Sequence, residues 1–183
     1  MVHIFLTNKI HVIIEFTDFD STFALTKNTM MDEILIRKAS VQDFDTLFRF
    51  EMGIIHAERP FDSTLRKDEI HYYDLEEMIT APNVKIVVAE LNNELIGSGY
   101  ARIEKSKGYL QHKYHACLGF MYVDPQHRGK GVNMKIINVL KEWATSQNIT
   151  ELRLEVYADN LLAVKAYEKA GFRGNMLEMR MGL

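Results

Sequence analysis

Apolar residues recur along this chain with two periods, and the way the periods alternate predicts a layered α/β fold. Ile34, Leu35 and Ile36, followed by Arg37 and Lys38, read as a short strand over 34–38. Ser40 then stands as a helix N-cap ahead of Val41, Phe44, Leu47, Phe48 and Met52, which are spaced at three or four as on one helical face. Pro60 closes that region, and Leu65, Ile70, Leu75, Met78 and Ile79 predict a second helix over 63–79, ending before Pro82. From there the pattern becomes strand-like over 84–91 and 95–104, and Asn92-Asn93 between the two runs predicts an antiparallel hairpin.

A polar loop over 105–113 leads into a strand at 115–123, whose odd positions His115, Cys117, Gly119 and Met121 share one face if no bulge intervenes. Val132, Ile136, Leu140, Trp143 and Ala144 mark a helix over 132–146, and 152–156 returns as a strand. A last helix over 160–170 stops at Gly171, and 176–181 adds a final strand. The sum is a mixed, mostly antiparallel central sheet with helices on both faces, in which the strand-helix-strand segment 115–157 forms a right-handed parallel crossover.

Composition narrows the function without naming it. At 183 residues the chain suits one domain over 31–183, preceded by an extension over 1–30. In that extension Val2, Ile4 and Leu6, then Ile10, Val12, Ile14 and Phe16, alternate as in an accessory hairpin or an arm that docks on a partner subunit. A net charge of -3 gives no basic field for nucleic acid. No apolar run reaches the roughly 20 residues of a membrane span, so the expectation is a soluble protein with no membrane partner. The lone Cys117 forms no intramolecular disulfide, which fits a reducing cytoplasmic location. His112-x-x-His115 lacks a third ligand in the sequence, so no metal is expected.

The chemistry concentrates between the strand at 115–123 and the helix after it. There Gln126, Arg128, Gly129, Lys130 and Gly131 form a basic turn with two glycines, followed by Val132 and Asn133. A strand that ends in such a turn aims main-chain N–H groups and the positive end of a helix at one point, which suits a phosphate. The bland alternative is a tight surface turn that happens to be basic. Val132 and Asn133 after Gly131 break the Walker pattern, and Met134 breaks the dinucleotide pattern. What remains, Gln126-x-x-Gly129-x-Gly131, resembles the pyrophosphate loop of the GNAT superfamily, the Gcn5-related N-acetyltransferases. Asn160-x-x-Ala163-x-x-x-Tyr167-x-Lys169-x-Gly171-Phe172 is similar to the C-terminal signature of that family, in the right order. Asn160 and Tyr167 lie two turns apart on one helical face, with small Ala163 between them.

The resemblance implies the GNAT fold, acetyl-CoA as cosubstrate and no metal. It also implies direct attack of an acceptor amine on the thioester in a ternary complex. By the same resemblance the loop residues Gln126 to Asn133 hold the pyrophosphate, main-chain groups at Met121 and Val123 meet pantetheine, Asn160 and Ala163 flank it, and Tyr167 protonates the leaving thiolate. Some relatives carry a glutamate or histidine base on the strand before the loop. Cys117 takes that place here, which leaves His115, with an ordinary pKa of about 6.5, as the nearest titratable candidate.

The resemblance also implies that the helices between the first strand and the hairpin form one wall of the acceptor site. Glu51, Glu58, Tyr72 and Tyr73 offer carboxylates and ring faces to a cationic small-molecule or peptide amine, although a solvated helix surface would present the same residues. Homodimers are frequent in the family. Two rival classes stay open at this point: a non-catalytic acyl-CoA-binding module that lacks an efficient base, and a purine-nucleotide-binding domain.

Overall fold

The computed structural model describes residues 33–183, so the expectations for 1–30 lie outside the described residues. Five strands, β1 (Leu35–Lys38), β2 (Val84–Leu91), β3 (Glu94–Lys105), β4 (Tyr114–Val123) and β5 (Leu152–Leu154), form one sheet in the order β1-β2-β3-β4-β5. Neighbours run antiparallel except β4 and β5, which are parallel and joined through helix α3 (Val132–Ser146). The fold class read from the sequence is therefore the one observed.

Each face of the sheet carries its own core. Helices α1 (Phe44–Glu58) and α2 (Leu75–Thr80) cover one face, where Leu47, Phe50, Ile54, Leu75 and Met78 pack on Ile86, Val88, Tyr100 and Phe120. On the other face α3 buries Val132, Ile136, Ile137, Leu140 and Ala144 against Val87, Ala89, Ile96, Ala101, Ala116 and Leu118. Helix α4 (Leu161–Lys169) adds Tyr167 to the edge of this second core. Among the described residues no helix is long and apolar enough to cross a membrane.

Two expected elements differ. Of the helix predicted over 63–79 only α2 forms, capped by the Asp74 carboxylate on the Glu77 N–H at 2.9 Å. Residues before Asp74 take irregular structure because stronger partners claim their backbone. The Arg59 guanidinium donates to the carbonyls of Arg66 and Asp68, at 2.6 and 3.2 Å, and the Glu51 carboxylate accepts from the Tyr72 and Tyr73 N–H groups, at 2.6 and 3.0 Å. The strand predicted over 176–181 is absent. Met176, Met179 and Met181 are exposed, and the segment is held by Arg180, whose guanidinium pairs with Asp62 at 2.8 Å.

Glu51 is fully buried on α1, and its second carboxylate oxygen meets His71 Nδ1 at 2.9 Å. That contact raises the His71 pKa above its usual range. With both oxygens engaged inside the protein, Glu51 braces the 71–73 segment and is not presented to an acceptor, as the sequence had suggested. Glu51→Ala would strand two backbone N–H groups in the interior and is expected to lower unfolding free energy by about 3 kcal/mol, read by urea denaturation.

Candidate active site

The site begins where β4 stops obeying strand alternation. The β3–β4 register runs Tyr100 to Gly119 and resumes at Ser98 to Tyr122, so Phe120 and Met121 both oppose Gly99 in a β-bulge. Phe120 takes a left-handed backbone, φ 55°, which costs a non-glycine residue of the order of 1–2 kcal/mol. Side chains satisfy the groups that the ladder loses: the Phe120 N–H donates to the Tyr73 hydroxyl at 3.2 Å, and its carbonyl accepts from the Ser98 hydroxyl at 3.1 Å. Gly119 is required beside the bulge, because a Cβ there would come within 2.5 Å of the Tyr100 hydroxyl oxygen.

The bulge overturns the expected face of β4. Met121 and Val123 pack with the α3 core, whereas Tyr122 turns to the α1 side and stacks on Phe50 with ring centroids 4.5 Å apart. It also opens the sheet. β5 pairs with β4 only from Ala116 to Leu118, and beyond that point β4 continues with no partner strand on that edge among the described residues. The Asp124 N–H bonds the Ile96 carbonyl on the β3 side, at 2.9 Å. By alternation Val123 and Met121 direct their main-chain groups into the gap. The Val123 carbonyl already receives the Arg128 Nε–H there, at 3.1 Å.

A short 3-10 turn, Pro125–His127, carries the chain from β4 to α3 and consumes the Gln126 N–H, which the Asp124 carboxylate accepts at 2.9 Å. Gln126 itself is exposed, so only its side chain is available to a ligand. The His127 and Arg128 N–H groups bond back to the Asp124 and Pro125 carbonyls, at 2.8 and 3.5 Å. Gly129 and Gly131 adopt φ of 75° and 80°, a conformation that favours glycine, and the space where their Cβ atoms would stand is open. Gly131 is the N-cap of α3 and offers no side-chain acceptor, and the first helical bond to its carbonyl comes from Lys135. The N–H groups of Gly129, Lys130 and Gly131 find no acceptor among the described residues. Those of Val132 and Asn133 stand in the unsatisfied first turn of a helix. The Val132 side chain is core, 1% exposed, so it can serve a ligand only through its amide. Lys130 is exposed and adds charge to this nest of donors.

Next to the bulge, where Tyr73 holds Phe120, several phenols gather about one carboxylate. Glu58, half-buried at the end of α1, has its pKa raised by burial. Its charge acts on Tyr72, Tyr73, Tyr157 and Tyr167. The Tyr72 hydroxyl lies against it, buried and without a well-formed hydrogen bond. Tyr167, on α4, is packed edge-on against Phe172 at 6.2 Å, and burial pushes its hydroxyl up to about 12. On the same face of α4, Ala163 is half-buried and donates its N–H to the Asn160 side chain at 3.2 Å, so part of Asn160 is spent on capping the helix. Sequence reasoning missed Tyr157, whose hydroxyl donates to the Asp62 carboxylate at 3.3 Å beside this cluster, because it lies far from Asp62 in the chain and in no motif.

His115 lies elsewhere. It is buried opposite Glu104, with Nδ1 2.9 Å from the Ser106 hydroxyl, and burial lowers its pKa. It stands four strand positions before Gly119, about 13 Å along β4 from the fork.

Residues 51–172 match the acetyltransferase (GNAT) family, and the chain belongs to it. An uncharacterized N-acetyltransferase, YobR, of Bacillus subtilis is 42% identical over 55 residues, and a streptothricin acetyltransferase of Escherichia coli is 39% identical over 57. These stretches cover 30% and 31% of this chain but only 22% and 33% of the relatives' own lengths. In fold, the chain superposes on a predicted acetyltransferase of Clostridium acetobutylicum solved with acetyl-CoA. The TM-score is 0.63 at 19% identity, covering 82% of this chain and 96% of that one.

Proposed function

We propose that this acetyltransferase uses acetyl-CoA to acetylate an amine of a small molecule or peptide, by direct attack within a ternary complex. The observation that carries the reading is the row of main-chain amides from Gly129 into α3 that find no acceptor among the described residues, directly after the unpartnered end of β4. A diphosphate satisfies those amides, with Arg128 and Lys130 supplying counter-charge and the Gln126 and Asn133 side chains within the same turn. The main-chain groups of Met121 and Val123 then receive pantetheine as an added strand would, and the narrow Ala163 face of α4, with Asn160 at its start, leaves room for it.

Glu58 takes the proton from the acceptor ammonium, in place of His115, whose Nδ1 is committed to Ser106 and whose position is remote from the fork. The free amine attacks the thioester carbonyl carbon, the C–S bond breaks as the new C–N bond forms, and the electron pair leaves with sulfur. Tyr167 gives that sulfur its proton, a task suited to a phenol kept neutral by burial, and the second proton that the nitrogen sheds as the amide forms restores the phenol through solvent. Tyr72, Tyr73 and Tyr157 present ring faces and hydroxyls around the acceptor nitrogen, a setting for a cation.

A screen of amines with acetyl-CoA, read by free-thiol release, tests the reading. In that assay Glu58→Gln is expected to lower kcat/KM about tenfold at pH 7 and to flatten its acid limb. The sign follows from burial: the active carboxylate disappears as pH falls through a raised pKa, so the wild-type limb lies above the usual carboxylate range. The same variant should unfold at a higher temperature than wild type at pH 7 and at nearly the same temperature at pH 4, because the folded site favours the neutral form. Coenzyme A binding with no thiol release from any acceptor would favour a non-catalytic acyl-CoA-binding module instead.

A further inference from the structure

We propose that Glu104, His115 and Cys117 form a mononuclear site for a zinc-class divalent cation, at the closed end of the β3–β4 hairpin and away from the fork. The inference is independent of the acetyl-transfer reading. A His115 ring nitrogen, Cys117 Sγ and a Glu104 oxygen all lie within 4.8 Å of one another. Glu104 Oε2 is 3.4 Å from Cys117 Sγ and 4.0 Å from His115 Nε2. Ligands around tetrahedral zinc, at bond lengths of about 2.0–2.3 Å, stand about 3.3–3.8 Å apart, so small side-chain shifts close the site. Three protein donors leave the fourth position to water.

The groups around the three donors are already arranged as outer partners. The Ser106 hydroxyl lies 2.9 Å from His115 Nδ1, and an Nδ1–H donated to it leaves the Nε2 lone pair turned toward the centre. Arg102 binds Glu104 through Oε1 alone, Nε at 2.7 Å and Nη2 at 2.6 Å, so Oε2 remains for the ion. The register fixes this arrangement: Glu104 faces His115 and Arg102 faces Cys117 across the antiparallel pair.

Other charges bearing on the site are accounted for. Arg153, which pairs with Cys117 on the β5 side, is held by Glu151 at 2.5 Å and by His112 Nε2 at 3.2 Å, and His112 also meets Glu151 at 3.3 Å. Without a cation, burial and then the neighbouring Glu104 carboxylate push the Cys117 thiol up to about 11. Binding displaces the thiol proton to solvent, which makes the affinity rise with pH. Cys117 and Glu104 are half-buried, so the ion has a path in.

Cobalt(II) is the probe, because a thiolate ligand gives it a charge-transfer band and Cys117 is the only cysteine in the chain. Titration of the full chain is expected to develop that band to saturation at one equivalent, with zinc displacing it. Cys117→Ser should abolish the band, and His115→Ala and Glu104→Gln should each weaken cobalt binding at least tenfold. Ser106→Ala, which removes only the outer partner, should weaken it about tenfold. Absence of the band in the wild-type protein, or a titration unchanged in both His115→Ala and Glu104→Gln, overturns the site. Should either variant fail to fold, the wild type still decides: one equivalent of zinc should slow modification of Cys117 by a thiol reagent at least tenfold, and an unchanged rate overturns the proposal.

Discussion

Replacing Tyr167 by phenylalanine is expected to lower kcat for acetyl transfer about 100-fold while leaving acetyl-CoA affinity within a factor of two. The ring packs against Phe172 and the edge of the α3 core, and phenylalanine keeps that packing. What is lost is one hydroxyl proton, held on the phenol by burial that pushes its pKa up to about 12. A general acid contributes roughly 10²–10⁴-fold, and a thiolate is a good leaving group, so the low end of that range applies. Steady-state kinetics with calorimetric binding separates the two quantities. A variant with unaltered kcat removes Tyr167 from the chemistry, and one with weakened binding assigns it to the cofactor wall instead.

Gly131→Asp should weaken acetyl-CoA binding on the order of 100-fold and shift the melting temperature by only a few degrees. The Cβ enters open space, and aspartate tolerates the left-handed backbone at a cost of about 1 kcal/mol. Its carboxylate would cap the bare N-terminus of α3, which offsets much of that strain. The same carboxylate occupies the amides that a diphosphate needs and repels it, and charged hydrogen bonds contribute about 1.5–3 kcal/mol each. Calorimetric titration with acetyl-CoA, paired with thermal melts, reads both effects. A variant that binds acetyl-CoA as wild type does would show that the turn is not the anchor.

The five strands and the crossover helix were legible in the sequence because each obeys one clear period with a clear stop: Asn92-Asn93 turns the hairpin, and Val132, Ile136, Leu140 and Ala144 line the buried stripe of α3. The turn between them was legible through its glycines. Three features were not. The bulge at Phe120 leaves no local signature, since its strain is held by Tyr73 and Ser98 from distant elements. Glu51 reads as a surface acid because its partners are main-chain N–H groups of a later segment, which carry no side-chain pattern. The apolar spacing of Leu65, Ile70 and Leu75 imitates a helix, but Arg59 and Glu51 claim the backbone that such a helix would use.

The fork in the sheet is wedged by the protein's own side chains. Glu51 fixes the main chain at Tyr73, the Tyr73 hydroxyl holds the Phe120 amide, and Gly119 gives way to Tyr100, so these five positions act as a keystone set into the strand. On the proposed reading an incoming thioester would meet a slot whose width is inherited from α1 rather than created on arrival, and little backbone freedom would be lost on docking. Mutations that loosen the first helix should therefore register as slower turnover at a strand they never touch.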